Sequence, residues 1–275
     1  MRRTLAPPER RVARVSGVER LGAYHVIGAE DLDGPRDPAP GQFYMLAAAE
    51  CWGGQADERP YLPRAFSFAR ARAEEDALAL DFLLEAVGPG TERLARLAPD
   101  EGLALLGPLG IGFDLDTAAG RALLVGGGIG AAPLLCLQEA LIDAGEEPRV
   151  LLGFRTAAHA QAAALFAGSP AVVTDDGSVG RQAFVTELLR EELDAGNPAR
   201  VFACGPAPML EAVRALCAER QTPAQLALES GMACGFGACF GCVVPTGEGY
   251  LRLCVDGPVV DAARLETALF PGAGH

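Results

Sequence analysis

Four cysteines near the carboxyl end of the sequence have a spacing that suits a metal cluster. Cys234, Cys239 and Cys242 follow the pattern C-x4-C-x2-C, and Cys254 comes after eleven further residues. This is the plant-type spacing of a [2Fe-2S] site, in which a distant fourth thiolate completes the set of ligands. The sequence therefore predicts that these four side chains hold two irons and handle single electrons.

Glycines surround the cysteines in the stretch ESGMACGFGACFGCVV. Small residues let such a loop fold tightly around an inorganic core and turn backbone N–H groups toward its sulfurs. The segment that carries the loop is too short to be held by burial alone, so we expect the cluster to act also as a staple.

Two other interpretations of the four cysteines stay open. Zinc also accepts four thiolates, although its ligands usually come as two closely spaced pairs, whereas Cys254 stands alone. The thiols could instead be free and buried. In a reducing cytosol, eight cysteines favour metal binding, redox work or burial over disulfides. The cysteines that share no spacing, and are expected to fill the core, are Cys51, Cys136, Cys204 and Cys217.

The stretch ALLVGGGIGAAP carries a candidate dinucleotide loop. Gly126, Gly128 and Ala131 stand in G-x-G-x-x-A register between a predicted strand and a predicted helix. Glycines there allow a sharp turn and bring a diphosphate to the helix N-terminus, where free N–H groups favour anions. We assign Gly126, Gly128 and Gly130 to cofactor binding, with ordinary tight packing as the alternative.

A second nucleotide contact is predicted after the fourth strand of the same region. Cys204, Gly205 and Pro206 lie at the carboxyl edge of the expected sheet, where such sheets bind ligands. For Cys204 the alternative is a small buried residue. Arg155 stands where an acidic residue would contact a ribose hydroxyl, so the residues leave both NAD and NADP open.

The first half of the chain offers a separate set of binding residues. Within PRAFSF, Arg64 is suited to pair with a phosphate and Phe66 to pack on an isoalloxazine ring. Further on, VGPGTERL puts Gly90 and Thr91 at the start of a helix, with Thr91 as its expected N-cap and a second anion site nearby. Taken alone, these residues also fit a core aromatic and a simple turn.

The secondary-structure elements that must position these residues change in type before residue 120. In the first part, apolar segments alternate with turns at a period near two, with one helical stretch, TERLARLA, which is typical of a small antiparallel barrel. In the second part, apolar strands alternate with amphipathic helices, which indicates a parallel, doubly wound sheet covered on both faces. The predicted strands of that sheet are 122–127, 149–155, 171–175, 200–204 and 224–229.

Composition limits the partners of the chain. Its 275 residues are 50% apolar and carry a formal net charge of −13, so nucleic acid and anionic membranes are unfavourable partners. The plain explanation of this acidity is solubility. No run reaches the roughly 18 apolar residues of a membrane helix, and no apolar segment of a secretory signal follows the N-terminal charges. We therefore expect a cytoplasmic protein that does not span a membrane.

Together, these motifs resemble those of the ferredoxin reductase superfamily and, within it, the electron-transfer subunits of dihydroorotate dehydrogenase B. The resemblance runs from PRAFSF and VGPGT through LLGPLGIGF, LLVGGGIGAAPLL, VTDDGSVGRQAFVTELL and FACGPAPML. Its most specific part joins MACGFGACFGCVV to LCVDGPVVDAARL. It implies FAD, one [2Fe-2S] cluster and NAD. It also implies a partner subunit that holds FMN and oxidises dihydroorotate in the de novo synthesis of UMP, in a heterotetramer of two plus two.

The resemblance further implies which residues lie against the flavin, namely Arg64, Ala65, Phe66, Ser67, Leu83, Leu84, Glu85, Gly90 and Thr91. The chain departs from the family in two places. Glu85 stands where a basic or neutral residue is usual, which leaves a charge contact there without support. The separation between Cys242 and Cys254 is also shorter than is usual.

With the resemblance, the predicted fold is α/β plus β in three parts. An antiparallel Greek-key barrel that binds FAD takes residues 1–117, and a doubly wound NAD domain takes 118–229. A small [2Fe-2S] segment takes 230–275.

The number of electrons that each group exchanges at a time explains why three redox groups would share one chain. Nicotinamide exchanges two electrons as hydride and an iron–sulfur cluster one at a time, whereas a flavin does both. We expect electrons from the partner to reach the cluster, pass to FAD and leave to NAD+ at the carboxyl edge of the sheet. No acid or base for dihydroorotate itself is evident, because His25, His159 and His275 are expected to be isolated, and no catalytic residue is predicted.

Two rival functions use the same parts. One is a subunit of an NAD(P)H–ferredoxin oxidoreductase or sulfide dehydrogenase of similar build. The other is a zinc-stapled binding module that holds a regulatory nucleotide.

Overall fold

A computed structural model of the chain describes residues 3–5, 9–50, 62–116, 120–247 and 249–270. Within these residues the predicted architecture is confirmed. A closed antiparallel barrel comes first, a mainly parallel sheet with helices on both faces follows, and a small cysteine-rich segment completes the fold. None of the described helices is long and apolar enough to cross a membrane.

Six antiparallel strands close the barrel in the Greek-key order β1-β2-β5-β4-β3-β6. Apolar and polar residues alternate along the barrel strands, so that one face of each strand points into the barrel. On β1, for example, Val15 is buried while the neighbouring Arg14 is exposed. Tyr44 fills the interior together with Phe68 and Phe82, and its ring meets both of theirs edge-on. The barrel elements are β1 (Arg11–Leu21), β2 (Tyr24–Asp31), β3 (Phe43–Ala48), β4 (Arg64–Ala73), β5 (Leu78–Glu85), α1 (Pro89–Leu94) and β6 (Gly102–Leu109).

The second sheet has seven strands in the order β10-β9-β8-β7-β11-β12-β15, and its neighbours are parallel except for the last pair. Its elements are β7 (Arg121–Gly127), α2 (Ala131–Asp143), β8 (Arg149–Phe154), α3 (Ala157–Ala160), β9 (Ala171–Thr174), β10 (Arg181–Gln182), α4 (Val185–Asp194), β11 (Ala199–Cys204), α5 (Ala207–Glu219) and β12 (Ala224–Ala227). The remaining elements are β13 (Val243–Thr246), β14 (Gly249–Arg252), α6 (Leu253–Asp256) and β15 (Val259–Asp261).

Alternate residues of the central strands face opposite helix layers. On β7, Leu123 and Val125 belong to the core cluster that includes α4 and α5. Ala122 and Leu124 belong to the cluster that includes α2. Burial on both faces is the reason these strands read as continuous apolar runs rather than as alternating ones.

The sheet does not end where the sequence predicted. The strand AQLALE was expected to close the series, but β15 adds antiparallel beside β12, with Ala227 opposite Val259. The edge of β12 would otherwise expose unpaired N–H and C=O groups, and the returning chain covers it. The prediction missed β15 because a strand of three residues is too short to show a period.

The cysteine-rich segment is not a separate appendage. Its Val244, Leu251 and Leu253 are buried in the same core cluster as Phe43 and Met45 of the barrel. Burial of apolar surface against both larger parts therefore supports a segment that was expected to depend on its staple. The domain bounds 1–117, 118–229 and 230–275 stay a prediction, and the first of these boundaries lies within 117–119, outside the described residues.

Candidate functional site

A hairpin brings together two of the four predicted cluster ligands. Strands β13 and β14 pair so that Val243 lies opposite Arg252, and the N–H of Leu253 donates to the carbonyl of Cys242 at 3.1 Å. The next residue, Cys254, places its Sγ 3.2 Å from the Sγ of Cys242 and aims its N–H at that sulfur from 3.5 Å. The short separation between these two cysteines is thus spanned by one tight hairpin.

The other two cysteines meet within the glycine-rich loop. Burial alone would raise the pKa of the Cys234 thiol, but loop N–H groups, those of Cys239 and Phe236 foremost, and the Cys239 thiol lower it to about 6. N–H groups aimed at a sulfur stabilise the thiolate, which is the form that binds iron. The Cys239 side chain itself is exposed, so this pair faces the protein surface.

Gly235 fixes the cluster loop against the barrel. Its φ is +79°, and a Cβ at this position would come within 2.5 Å of the Cγ of Met45 on β3. A side chain here would be strained and would also push the loop away from β3.

The sulfur atoms fit a two-iron cluster. They form two pairs, Cys234 with Cys239 and Cys242 with Cys254, and two irons with two thiolates each require that grouping. Among the described residues, no three His, Cys, Asp or Glu side chains converge closely enough to hold one metal ion. This geometry does not favour the single zinc that the sequence left open.

The predicted flavin residues lie one strand away from the cluster loop. Strand β3, which carries Met45, pairs with β4 so that Tyr44 is opposite Phe66 and Phe43 is opposite Ser67. Phe66 and Ser67 are both half-buried, and Ala65 is exposed. A flavin held along the start of β4 would therefore lie close to the cluster loop.

Arg64 and the first turn of α1 form a candidate cradle for the flavin diphosphate. The Arg64 guanidinium donates to the carbonyl of Leu62 and lies beside Gly90, where a Cβ would stand 3.1 Å from its Nη2. Glycine at this position keeps the space in front of the guanidinium open. An arginine fork next to the first turn of a helix suits a phosphate, so these residues fit FAD.

The N-cap of α1 is Gly88, so the prediction that Thr91 caps this helix was wrong. Thr91 is the third helical residue, and its Oγ1 accepts from the N–H groups of Val87 and Gly88 at 2.9 and 3.1 Å. Pro89 occupies the first turn, where its fixed φ and missing N–H suit a helix start. The helix begins there, ahead of the hydroxyl that suggested a cap.

The three β5 residues that the resemblance placed against FAD differ in their surroundings. Leu83 and Leu84 are 1% and 0% exposed, so their side chains fill the core and their backbone is the part available to a ligand. Glu85, at the end of the strand, pairs with Arg155 of the second domain at 2.5 Å. The acidic residue at position 85 thus has a charge partner, which comes from the other domain.

The expectation that His159 is isolated was wrong. Its ring nitrogens lie 2.9 Å from Arg155 Nη2 and from Thr156 Oγ1, and the ring meets Tyr24 edge-on. Together with Glu85 these residues connect the barrel to the region after β8. His25 has a buried Nδ1 with no hydrogen-bond partner among the described residues, and His275 lies outside them.

A cavity of about 670 Å³ runs along the carboxyl ends of the parallel strands. That volume is in the range of cofactor sites, and this edge is where such sheets bind nucleotides. Gly128, Gly205 and Pro206, three of the predicted nucleotide residues, line it. Gly127 and Gly153 also line it, and they pack closely on its far wall, because a Cβ would stand 2.4 Å from Met209 Sδ at Gly127 and 2.9 Å from Val185 Cβ at Gly153. The volume of the cavity and its place at the carboxyl edge of the sheet fit NAD.

The other predicted nucleotide residues, Gly126, Gly130 and Cys204, do not line the cavity but pack beneath it. Gly126 packs beside Leu152 and Leu134, and Gly130 lies directly against the Cys204 carbonyl. Their closeness lets the ends of β7 and β11 approach each other under the ligand. For Gly126, Gly130 and Cys204 this is the tight packing that the sequence left open as an alternative.

The lining residues of this cavity that were not predicted include Tyr24, Asp175, Phe184, Met209 and Glu229. Two of them had a signal in the sequence, because Asp175 and Glu229 end predicted strands of a sheet that binds ligands at that edge. Tyr24 had none, because it belongs to the barrel and reaches the cavity only through the packing of the two domains.

The remaining described cysteines are core residues, as expected. Cys136, Cys204 and Cys217 are buried, and burial raises the pKa of all three thiols, those of Cys136 and Cys217 to about 12. Neutral thiols of this kind are inert fillers. Cys51 lies outside the described residues.

Replacing Gly130 with alanine is expected to destabilise the nucleotide domain by about 2 kcal/mol, the usual cost of overpacking. The added methyl group would lie 2.4 Å from the Cys204 carbonyl oxygen and 2.6 Å from the Gly205 N–H nitrogen, both of them backbone atoms. Urea unfolding of the purified chain measures the loss. Gly17→Ala is the matched control, because a Cβ at Gly17 meets no atom within 4 Å; equal stability of the two variants would contradict the packing described.

Comparison with known proteins identifies close relatives. Residues 229–266 match the family of iron–sulfur cluster binding domains of dihydroorotate dehydrogenase B. The electron transfer subunit of dihydroorotate dehydrogenase B (NAD(+)) from Geobacillus sp. (strain WCH70) is 39% identical over 234 residues, which cover 82% of this chain and 86% of that protein.

Solved structures share the fold. An NADH-dependent reduced ferredoxin-NADP oxidoreductase is 23% identical with a TM-score of 0.77, over 94% of this chain and 90% of that one. A ferredoxin NADP+ reductase from Neisseria gonorrhoeae with bound FAD and NADP is 19% identical with a TM-score of 0.58, over 77% of this chain and 91% of that one.

Proposed function

The chain belongs to the family of electron transfer subunits of NAD(+)-type dihydroorotate dehydrogenase B, and from this we propose how its residues divide the work. Its function is to pass electrons from the catalytic subunit of that enzyme to NAD+, in pyrimidine biosynthesis. Its cofactors are FAD and a [2Fe-2S] cluster, with NAD as the external electron carrier. When bound, FAD supplies the ability to exchange both hydride and single electrons.

Four cysteines would hold the cluster. Cys234 and Cys239 would bind one iron, and Cys242 with Cys254 the other, because the sulfurs are paired in that way. The loop N–H groups around Cys234 would stabilise the thiolate, and Gly235 would keep the loop on β3.

The flavin would lie along the start of β4 and over the first turn of α1. Arg64 would bind its diphosphate together with Gly90 and Thr91, while Phe66 and Ser67 would contact the ring. The contributing set also includes Ala65, Leu83, Leu84 and Glu85. NAD would occupy the cavity of about 670 Å³ between Gly128 and Gly205.

The relatives are subunits, so a catalytic partner subunit completes the enzyme. We propose that this partner holds FMN, oxidises dihydroorotate, and assembles with the chain in a heterotetramer of two plus two. We also propose that the complex is cytoplasmic. The single observation that best supports this relay is the packing of Gly235 on Met45, one strand from the Phe66 and Ser67 pair.

The purified chain tests the division of labour. We expect it to be coloured, to contain FAD and two irons, and to reduce dyes with NADH. It should not oxidise dihydroorotate until the catalytic subunit is added, because the proposal assigns that chemistry to the partner. Dihydroorotate oxidation by the chain alone would refute the proposal. Coupling to ferredoxin, without coupling to a dihydroorotate-oxidising partner, would favour the ferredoxin oxidoreductase alternative.

A further inference from the structure

Arg155 is the residue that left the choice between NAD and NADP open in the sequence. It follows β8, the second strand of the parallel sheet, where an acidic side chain binds the adenosine ribose of NAD or an arginine accommodates the 2′-phosphate of NADP. Strand β8 lies beside β7, which leads to Gly128, on the side away from β11. The adenosine end of the cavity is therefore the end at Arg155.

An acidic residue of the barrel already holds this arginine. The Nη2 atom of Arg155 lies 2.5 Å from Oε1 of Glu85 and 2.9 Å from Nε2 of His159. Glu85 ends β5 and lines the same cavity, and Arg155 is the one basic side chain among the described residues that line it. A guanidinium next to a carboxylate attracts a further anion only weakly, because the two charges oppose each other at a distance. The barrel thus neutralises the charge that a 2′-phosphate would need.

A second carboxylate stands next to Arg155 on the neighbouring strand. Asp175 follows β9 and lines the cavity, and its N–H donates to the carbonyl of Phe154, the residue before Arg155, at 2.9 Å. Asp175 is exposed, and its carboxylate adds negative charge to the adenosine end. A phosphate bound there would be repelled by this carboxylate as well as by Glu85.

The backbone donor that follows Arg155 most closely at the start of α3 is also taken. The N–H of Ala157 donates to the Oγ of Ser178 at 2.7 Å, and that hydroxyl donates to Oδ1 of Asp176 at 2.6 Å. The hydrogen bond from the Ser178 hydroxyl lowers the pKa of the Asp176 carboxyl, so this group is ionised at neutral pH. A phosphate would have to displace a hydroxyl and approach a carboxylate to reach this N–H.

We propose that Glu85 makes the chain selective for NAD over NADP by holding Arg155 in an ion pair. A 2′-phosphate could bind Arg155 only by drawing it away from Glu85, which would leave that carboxylate unpaired. The ribose hydroxyl of NAD leaves the ion pair intact. This inference rests on the proposed function, because it assumes that a dinucleotide occupies the cavity. It adds that the selectivity comes from the barrel, at the position where the chain departs from the family.

Binding of NAD+ and NADP+ to the full-length, FAD-loaded, oxidised protein tests the proposal by isothermal titration calorimetry. Neither ligand can reduce the flavin, so binding is measured without turnover. The wild type should bind NAD+ at least about 10-fold more tightly than NADP+. In Glu85→Gln, Arg155 is free to meet the phosphate, and the affinity for NADP+ relative to NAD+ should rise by about 5- to 30-fold, the range of one charge contact at a partly exposed site. The ratio of the two Kd values cancels any effect of the substitution on the flavin.

Glu30→Gln is the matched control. Glu30 of β2 pairs with Arg14 at 2.6 Å, and these side chains are 24% and 58% exposed, against 27% and 62% for Glu85 and Arg155. Neither Glu30 nor Arg14 lines the cavity, so this variant breaks a similar ion pair elsewhere on the barrel and should keep the wild-type ratio. Flavin absorbance of each variant checks that FAD is bound.

The double variant Glu85→Gln/Arg155→Ala shows whether Arg155 supplies the gain. It should lose the rise in relative NADP+ affinity, because the freed positive charge is gone. Dye reduction gives a second readout, since the ratio of kcat/KM for NADPH to that for NADH should rise in Glu85→Gln and fall back in the double variant.

Four outcomes would overturn the inference and leave the proposed function standing. They are a wild type that binds both nucleotides equally well, an unchanged ratio in Glu85→Gln, an equal change in Glu30→Gln, and a gain that survives in the double variant. A wild-type protein that does not bind NAD+ would remove the nucleotide site, and with it both this inference and the proposed function.

Discussion

Replacing Cys239 with alanine is expected to lower dihydroorotate-dependent reduction of NAD+ by at least about 100-fold, because the cluster loses one of its thiolates. The side chain is exposed, so the change removes a ligand without opening a cavity in the core. Electrons from the catalytic subunit then have no route into the chain. Reduction of dyes by NADH should stay within about twofold of wild type, since it needs the flavin and nucleotide residues alone.

The measurement compares coupled turnover with the partner, dye reduction by the chain alone, and iron content per protein. Cys217→Ala is the matched control, because this cysteine is buried in α5 and packs in the core. Its iron content and coupled turnover should be unchanged, although its stability should fall somewhat. A Cys239 variant that keeps its iron and its coupled turnover would rule the residue out as a ligand. A parallel loss of FAD would mean that the cluster loop and the flavin site do not fold independently.

Replacing Arg64 with alanine is expected to weaken FAD binding by about 10- to 150-fold, the equivalent of 1.5–3 kcal/mol for a hydrogen bond to a charged group. The guanidinium lies beside Gly90 in the first turn of α1, where the diphosphate is proposed to sit. No nearby described residue replaces its charge there, since the other arginines of β4 lie further along the strand. Without the flavin, both dye reduction and coupled turnover should fail at low FAD and recover when FAD is added.

Titration of the flavin-free chain with FAD, followed by flavin fluorescence, gives the affinity. Arg72→Ala is the control on the same strand, because Arg72 is half exposed and pairs with Asp81 at 2.9 Å. Such a surface pair contributes at most about 1 kcal/mol to stability, and its loss should leave the FAD affinity within about twofold. Similar effects of the two substitutions would show that Arg64 acts through general stability and not through a phosphate contact. Arg64→Lys should restore only part of the affinity, since an ammonium cannot form two parallel bonds to a phosphate.

The fold was largely predictable because its signals are local. Strand β7 is buried on both faces, by Leu123 and Val125 on one and by Ala122 and Leu124 on the other, so its sequence is one continuous apolar run. Such runs between amphipathic helices indicate a parallel sheet. The cysteine spacing that predicted the cluster is also a local signal. The hairpin register that brings Cys242 and Cys254 together needs only the residues between them.

What could not be predicted depends on contacts between distant parts of the chain. The pairing of Glu85 with Arg155 joins the end of a barrel strand to the end of a sheet strand, and neither position indicates the other. The same holds for His159, which was expected to be isolated, and for Tyr24 in the cavity wall. The prediction of the N-cap of α1 was wrong for a different reason. Pro89 and Thr91 both suit a helix start, and only the backbone conformation decides where the helix begins.

The pairing of β12 with β15 has a mechanical consequence for the redox centres. The iron–sulfur segment leaves the sheet after Ala227 and returns at Val259, and those two residues sit directly opposite each other. Both ends of the segment are therefore anchored to one rigid frame, while Gly235 rests on the barrel. With the cluster and the flavin bound where we propose, these anchors would limit how far the cluster loop can move from β3, so single-electron transfer between the two groups would not require a domain movement.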